Sequence, residues 1–140
     1  MLEICKIKES YWLDLKKKAL EYDIQVNERE ILKFNGDCLV ILEHNTIVGF
    51  GYYEITDGIA WVKQLEIFIS NEQERELYKD FLFRALMNAA ELRSLEFIRV
   101  DKKALNLEAI EKMGMNLKYE DQDIVLDIKE CFKTACSCKR

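Results

Sequence analysis

The chain has 140 residues, 49% hydrophobic and 34% charged, with a net charge of −5. That length suits one ordinary domain, the apolar share is too high for a disordered segment, and the negative balance excludes the global basic footprint of a nucleic-acid-binding protein. Apolar runs such as "LVIL" at 39–42 are far too short to span a bilayer.

"MLEICKIKES" alternates with charges and lacks the apolar centre of a secretion signal, so a cytoplasmic protein is expected, with one domain over 1–130 and a cysteine-containing tail over 131–140. In chain order, "LEICKI" (2–7) alternates as a strand does. "SYWLDLKKKALEYDI" (10–24) has helical spacing, with Trp12, Leu15, Ala19 and Leu20 on one face and Lys16 to Lys18 on the wet side. "NEREILKF" (27–34) predicts a short helix in which Asn27 and Glu30 have capping-box spacing. Three strands follow: "CLVILE" (38–43), "TIVGFGYYEI" (46–55) and "IAWVKQLEIFI" (59–69). The turns "HN" and "TDG" between them predict an antiparallel meander. Gly49 and Gly51 inside the second of these strands point to a bulge or a close backbone approach.

A long helix opens at "ISNEQERELYKD" (69–80), with Leu77, Phe81, Leu82, Ala85, Leu86 and Ala89 as its apolar stripe. "LEFIRV" (95–100) predicts a strand, "LNLEAIEKM" (105–113) a helix with Gly114 at its C-cap, and "NLKYE" with "DIVLDIK" a last hairpin around Asp121.

Five cysteines show no pairing pattern. Cys5 and Cys38 lie in apolar strands and suit small core residues. Cys131, Cys136 and Cys138 fall in "CFKTACSCKR", where only Phe132 offers an apolar anchor, and a frayed end with exposed thiols is expected. A closed zinc site needs a fourth ligand, and the single histidine, His44, lies far away in sequence; no metal is expected.

The start of the long helix poses the functional question. Free N–H groups and the positive end of the helix dipole can hold a phosphate there. Yet Glu72, Glu74 and Glu76 crowd this start, no glycine is present, and both Ser70 with Gln73 and Asn71 with Glu74 have capping-box spacing. These side chains predict a helix start that caps itself.

The order β-α-α-β-β-β-α-β-α-β-β resembles the GNAT family of N-acetyltransferases over nearly the whole chain. "ILEHNTIVGFGYYEI", "LEIFISNEQERELYKDFLFRAL" and "AIEKMGM" resemble that family's second and third strands, its fourth strand and third helix, and its late "YEKxGF" segment. The resemblance implies a GNAT acyl-CoA N-acyltransferase fold of the α/β (α+β) class, a mixed and mostly antiparallel sheet of about seven strands with about four helices. It implies acetyl-CoA as cofactor, lying in a splay between strands 59–69 and 95–100. Backbone of Ile67, Phe68 and Ile69 would hold the pantetheine, with Asn106 and the junction residues Glu74, Arg75, Glu76, Leu77, Tyr78 and Lys79 around the ligand. The family's Arg/Gln-x-x-Gly-x-Gly/Ala pattern falls on Glu74, Leu77 and Lys79, and all three depart from it.

Acetyl transfer needs a base for the amine and an acid for the thiolate. The family's tyrosine acid falls on Ile110, leaving Tyr119 and Tyr78 as alternatives; Glu66 and Glu54 are the candidate bases. Three readings stand side by side: a divergent N-acyltransferase acting on a small-molecule or protein amine, a catalytically inactive GNAT-fold binding module, and a redox or metal-responsive protein using the terminal thiols. None calls for nucleic acid or a membrane as partner.

Overall fold

The chain's computed structural model describes residues 2–33, 35–101, 103–104, 118–120, 123–129 and 131. The meander forms where turn chemistry and strand propensity agree. Strands β2 (Cys38–Glu43), β3 (Thr46–Thr56) and β4 (Ile59–Ile67) are joined by two-residue loops. Each loop has positive φ at both positions: 51° and 65° at His44 and Asn45, 53° and 76° at Asp57 and Gly58. This is the backbone that matches the twist of the flanking strands. With β1 (Leu2–Lys6), β5 (Phe97–Asp101), β6 (Lys118–Glu120) and β7 (Asp123–Asp127) they make a seven-stranded sheet in the order β1-β2-β3-β4-β5-β7-β6. Every neighbouring pair is antiparallel except β4 and β5, which are parallel.

Helices cover both faces. Helix α1 (Trp12–Glu21), led in by a 3-10 turn at Glu9–Tyr11, and α2 (Glu28–Lys33) pack over Val40, Phe50 and Phe68 through Trp12, Leu15 and Ile31. The Asn27 cap is realised: its Oδ1 accepts from the Glu30 backbone N–H at 3.1 Å. Helix α3 (Glu72–Leu92) packs on the other face, where Leu82, Phe83, Leu86 and Met87 meet Tyr53, Leu65 and Ile98. No helix among the described residues is long and apolar enough to cross a membrane.

Three side-chain expectations are corrected. Leu20 is 80% exposed, because α1 buries a narrower face, Trp12, Leu15 and Ala19. Leu77 and Phe81 are exposed too: burial along α3 begins only at Leu82, so its first turns stand clear of the core, and the buried stripe is rotated onto Phe83 and Met87. Cys131 is not an exposed thiol. It is 3% exposed and belongs to the α3-side core, where a small apolar-tolerant sulfur fits. Cys136, Cys138, Phe132, the helix expected at 105–113, Gly114 and Asp121 lie outside the described residues.

The one buried charged residue among those described is Asp37. It accepts hydrogen bonds from the Tyr53 hydroxyl and from Arg93, and pairs with Lys6. Burial raises its pKa, but the hydrogen bonds from Arg93 and Tyr53, with the charges of Arg93 and Lys6, outweigh it and hold the carboxyl below its ordinary value. Next to it, burial and the Asp37 charge push the half-buried Cys38 thiol up to about 12, so it stays protonated.

Candidate functional site

The site begins with a break in alternation. In β4, "AWVKQLEI" places two long polar residues, Lys63 and Gln64, side by side. The register explains it: Tyr52 faces Gln64 and Tyr53 faces Val62, so Lys63 is an extra residue, a β-bulge. A bulge bends its strand and increases the local twist. The pairing of β4 with β5 is confined to Ile59–Phe97, Ala60–Ile98 and Trp61–Arg99. Beyond Trp61 the strands diverge, and a cleft of about 330 Å³ opens between Val62–Glu66 on one wall and Val100, Asp101, Lys103 and Ala104 on the other, with Lys79 of α3 at its side.

A second bulge falls on Val48 of β3, because Ile41 faces Gly49 while Leu42 faces Ile47. Gly49 lets β4 come close: a Cβ there would lie 2.7 Å from Ile67 Cδ1 and 3.0 Å from the Glu66 carbonyl oxygen. Both features expected of the glycine-containing strand are present, the bulge one residue before Gly49.

The resemblance puts the pantetheine on the backbone of Ile67, Phe68 and Ile69, just past the stretch of β4 that lines the cleft. Ile67 is buried in the α3-side core. Phe68 packs on the α1–α2 side, stacked with Phe50, and its backbone N–H is already donated to the Val48 carbonyl at 2.7 Å. The β4 residues that reach the cleft are Val62 to Glu66.

At the α3 start, Asn71 Oδ1 accepts from the Glu74 backbone N–H at 3.0 Å, and Glu72 and Glu74 occupy the first turn. The Asn71–Glu74 spacing thus makes a cap that occupies an N–H a phosphate would otherwise use. Glu74 is exposed and Leu77 is 50% exposed. Tyr78 donates to Glu43 Oε1 at 3.0 Å; that hydrogen bond, then burial and the Glu43 charge, raise the phenol pKa. Tyr78 stacks on Phe81 and is not among the residues lining the cleft. Lys79, in contrast, lines the cleft, with its side chain 21% exposed and Glu76 Oε1 at 3.8 Å.

Of the candidate bases, Glu66 lines the cleft and Glu54 does not. Glu66 faces Phe50 across the β3–β4 pair, which puts it on the α1–α2 face of the sheet. Gln64 Nε2 reaches Glu66 Oε2 at 3.4 Å and donates to the Gln25 carbonyl at 2.9 Å, tying the α1–α2 loop to this wall. Glu54 pairs with Lys63 at 3.8 Å. The Tyr119 side chain and Asn106 lie outside the described residues.

Gln64, Asp101 and Lys103 are cleft residues that no motif marks. Asp101 folds back on its own turn, accepting from the Lys103 N–H at 2.8 Å. Among the described residues no group of His, Cys, Asp and Glu could hold a metal ion. Among the described residues the arrangement offers a stretch of β4 without a β5 partner, the Glu66 and Asp101 carboxylates and three lysines, Lys63, Lys79 and Lys103. An extended, amide-bearing ligand can pair with such a stretch as an added strand does.

No protein-family model matches the sequence, and no curated protein matches it. Solved structures do match in fold. A GNAT-family acetyltransferase from Staphylococcus aureus Mu50 superposes with a TM-score of 0.61 at 12% identity, over 91% of this chain and 99% of that one. A PaiA N-acetyltransferase from Thermoplasma acidophilum, solved with coenzyme A, gives 0.63 at 14% identity, over 90% and 97%. A diaminobutyrate acetyltransferase from Paenibacillus lautus, solved with L-2,4-diaminobutyric acid and coenzyme A, gives 0.67 at 14% identity, over 91% and 95%. The fold of the chain is the GNAT fold, a mixed α/β sheet split between its two parallel central strands.

Proposed function

We propose that this GNAT-fold chain is a cytoplasmic N-acyltransferase that passes an acyl group, in the simplest case acetyl, from acyl-CoA to an amine on a small molecule or a protein. The observation that carries this reading is the end of β4–β5 pairing at Trp61 and the cleft that opens beyond it.

When bound, acyl-CoA supplies an activated thioester carbonyl. The β4 edge over Val62–Glu66 offers backbone groups to its amide-bearing arm, and Leu65 and Val100 supply apolar wall. Glu66, which lines the cleft, would accept the proton that the acceptor nitrogen sheds as its bond to carbon forms. The transfer would break the thioester's carbon–sulfur bond, and with Ile110 at the position where the family's pattern has tyrosine, solvent water would carry the proton from Glu66 to the departing sulfur. The acceptor approaches from the α1–α2 face, where Glu66 and the Gln25 loop lie. Holding donor and amine in one orientation is itself worth several kcal/mol of barrier.

One observation favours a second reading, a GNAT-fold binding module without acyl-CoA: the Asn71 cap and the acidic first turn of α3 disfavour a phosphate at that helix start. Titrating acetyl-CoA against the melting temperature separates the two. A ligand at a hundred times its dissociation constant stabilises the fold by about 2.7 kcal/mol, a shift of several degrees for a domain of this size. Such a shift, with thiol release on adding amines, supports the transferase; no shift at millimolar acetyl-CoA supports the module.

A further inference from the structure

Among the described residues the Glu66 carboxylate has one hydrogen-bond donor and no ion-pair partner. The donor is the side-chain amide of Gln64, whose Nε2 stands 3.4 Å from Glu66 Oε2. The same nitrogen donates to the Gln25 carbonyl, in the loop between α1 and α2, at 2.9 Å. Both neighbours are acceptors, a carboxylate and a peptide carbonyl, so the amide turns its nitrogen and not its oxygen toward them. That nitrogen carries two hydrogens, one for each. The strand makes the contact possible. Gln64 and Glu66 are two residues apart in β4 and share a face: they stand opposite Tyr52 and Phe50 of β3, both in the core under α1 and α2. Both side chains line the cleft and are half-buried. One amide thus holds one oxygen of the carboxylate, leaves Oε1 for an incoming amine, and ties the α1–α2 loop to the same wall.

We infer that Gln64 is a positioning residue for the transfer: its amide orients the Glu66 carboxylate toward the acceptor nitrogen and links that orientation to the loop on the acceptor side. The inference rests on the acyltransferase reading with Glu66 as its base. A general base must lie within hydrogen-bond reach of the proton it takes, and a misplacement of about 1 Å can cost about a hundredfold in rate. A long, flexible carboxylate side chain with one partner depends on that partner for its place. Gln64 acts through Glu66, so its loss falls on kcat and not on the KM for acetyl-CoA.

The test is a double-mutant cycle read by thiol release from acetyl-CoA, with spermidine, lysine and triglycine as the amine probes. The chains are the parent, Gln64→Met, Gln64→Glu, Glu66→Gln, and Gln64→Met combined with Glu66→Gln. Methionine keeps the length of the side chain and removes its donors; glutamate keeps the shape and sets a second carboxylate beside the first. Unliganded melting curves report that each variant is folded. With the amine that supports turnover, Gln64→Met should lower kcat by about ten- to a hundredfold, and Gln64→Glu by at least as much. The KM for acetyl-CoA should stay within about twofold, because the lost contact serves the transfer and not donor binding. In the Glu66→Gln background, Gln64→Met should cost less than about twofold more, since residues that act as one unit are not additive. A Gln64→Met or Gln64→Glu chain that turns over like the parent would overturn the role of Gln64 while the transferase reading stands. So would a loss confined to KM, or an equal loss in both backgrounds. A parent chain that releases no thiol with any of the three amines removes that reading and the role together.

Discussion

Arg93, just past the end of α3, grips Asp37 with two hydrogen bonds, Nε to Oδ2 at 2.7 Å and Nη2 to Oδ1 at 3.0 Å. The side chain of Asp37 is 5% exposed, while that of Arg93 is 41% exposed. The pair fastens the far end of α3 to the residue just before β2, which also holds Tyr53 of β3, so the helix that flanks the cleft is anchored at the end away from it. Arg93→Met leaves the carboxylate short of its main partner. It should destabilise the fold by about 1–3 kcal/mol in urea unfolding, below the range for a fully buried pair because the guanidinium is partly solvated.

Asp37 also sets a pH dependence. Its carboxyl is held below the ordinary value, the hydrogen bonds and positive charges of Arg93, Tyr53 and Lys6 outweighing burial. Its contribution is therefore complete above the unfolded-state pKa of about 4 and is lost as pH falls through the depressed native value. The stability difference between the parent and Asp37→Asn should stay level from neutral pH to about pH 5 and shrink below about pH 4, as denaturant titrations across that window would register.

The acidic start of α3 makes opposite demands on the empty and the liganded protein. Glu72→Gln combined with Glu74→Gln should lower the unliganded stability by about 0.3–1 kcal/mol per charge. The same pair should enlarge the melting shift produced by acetyl-CoA. An unchanged or smaller shift in differential scanning fluorimetry would mean that these carboxylates do not face the ligand.

Glu66 and Glu54 separate by position. With an amine acceptor in hand, Glu66→Gln should cut turnover by about 10²–10⁴-fold, the usual range for a lost general base, with little change in KM for acetyl-CoA. Glu54→Gln, which loosens only the Lys63 pair, should stay within about threefold of the parent, as expected for a partly solvated ion pair. Steady-state kinetics of the two variants side by side decides between them.

Cys131 offers a stability test of its own. A hydroxyl in place of its sulfur brings a polar group into the α3-side core, so Cys131→Ser should cost about 1–3 kcal/mol and several degrees of melting temperature. Added zinc should restore none of it. An exposed thiol would have given no change.

What was legible in the sequence was local. The His44–Asn45 and Asp57–Gly58 turns, the strands they join, and the Asn27 and Asn71 caps each follow from residues within a few positions of one another, and each is present. The element order was enough to expect the sheet and its split. What escaped depended on distant partners. Helical periodicity put Leu77 and Phe81 on the buried stripe, but it cannot tell where a helix overhangs its sheet. Nothing near Asp37 in the sequence marks it, because its hydrogen-bond partners Tyr53 and Arg93 lie 16 and 56 positions away. The cleft itself, lined on β4 by Val62–Glu66, was not legible, and the adjacent pair Lys63–Gln64 was the one visible trace of the bulge beside it.

That pair has a further consequence. Remove Lys63 and β4 reads "AWVQLEI", a strictly alternating strand whose remaining side chains keep the faces they have now. Nothing in such a sequence would bend it away from its parallel neighbour, and the two strands would be free to zip together along their length. Substitutions along β4 would keep the extra residue, whereas deleting a single codon would remove it, and with it the bend and added twist that a bulge gives its strand.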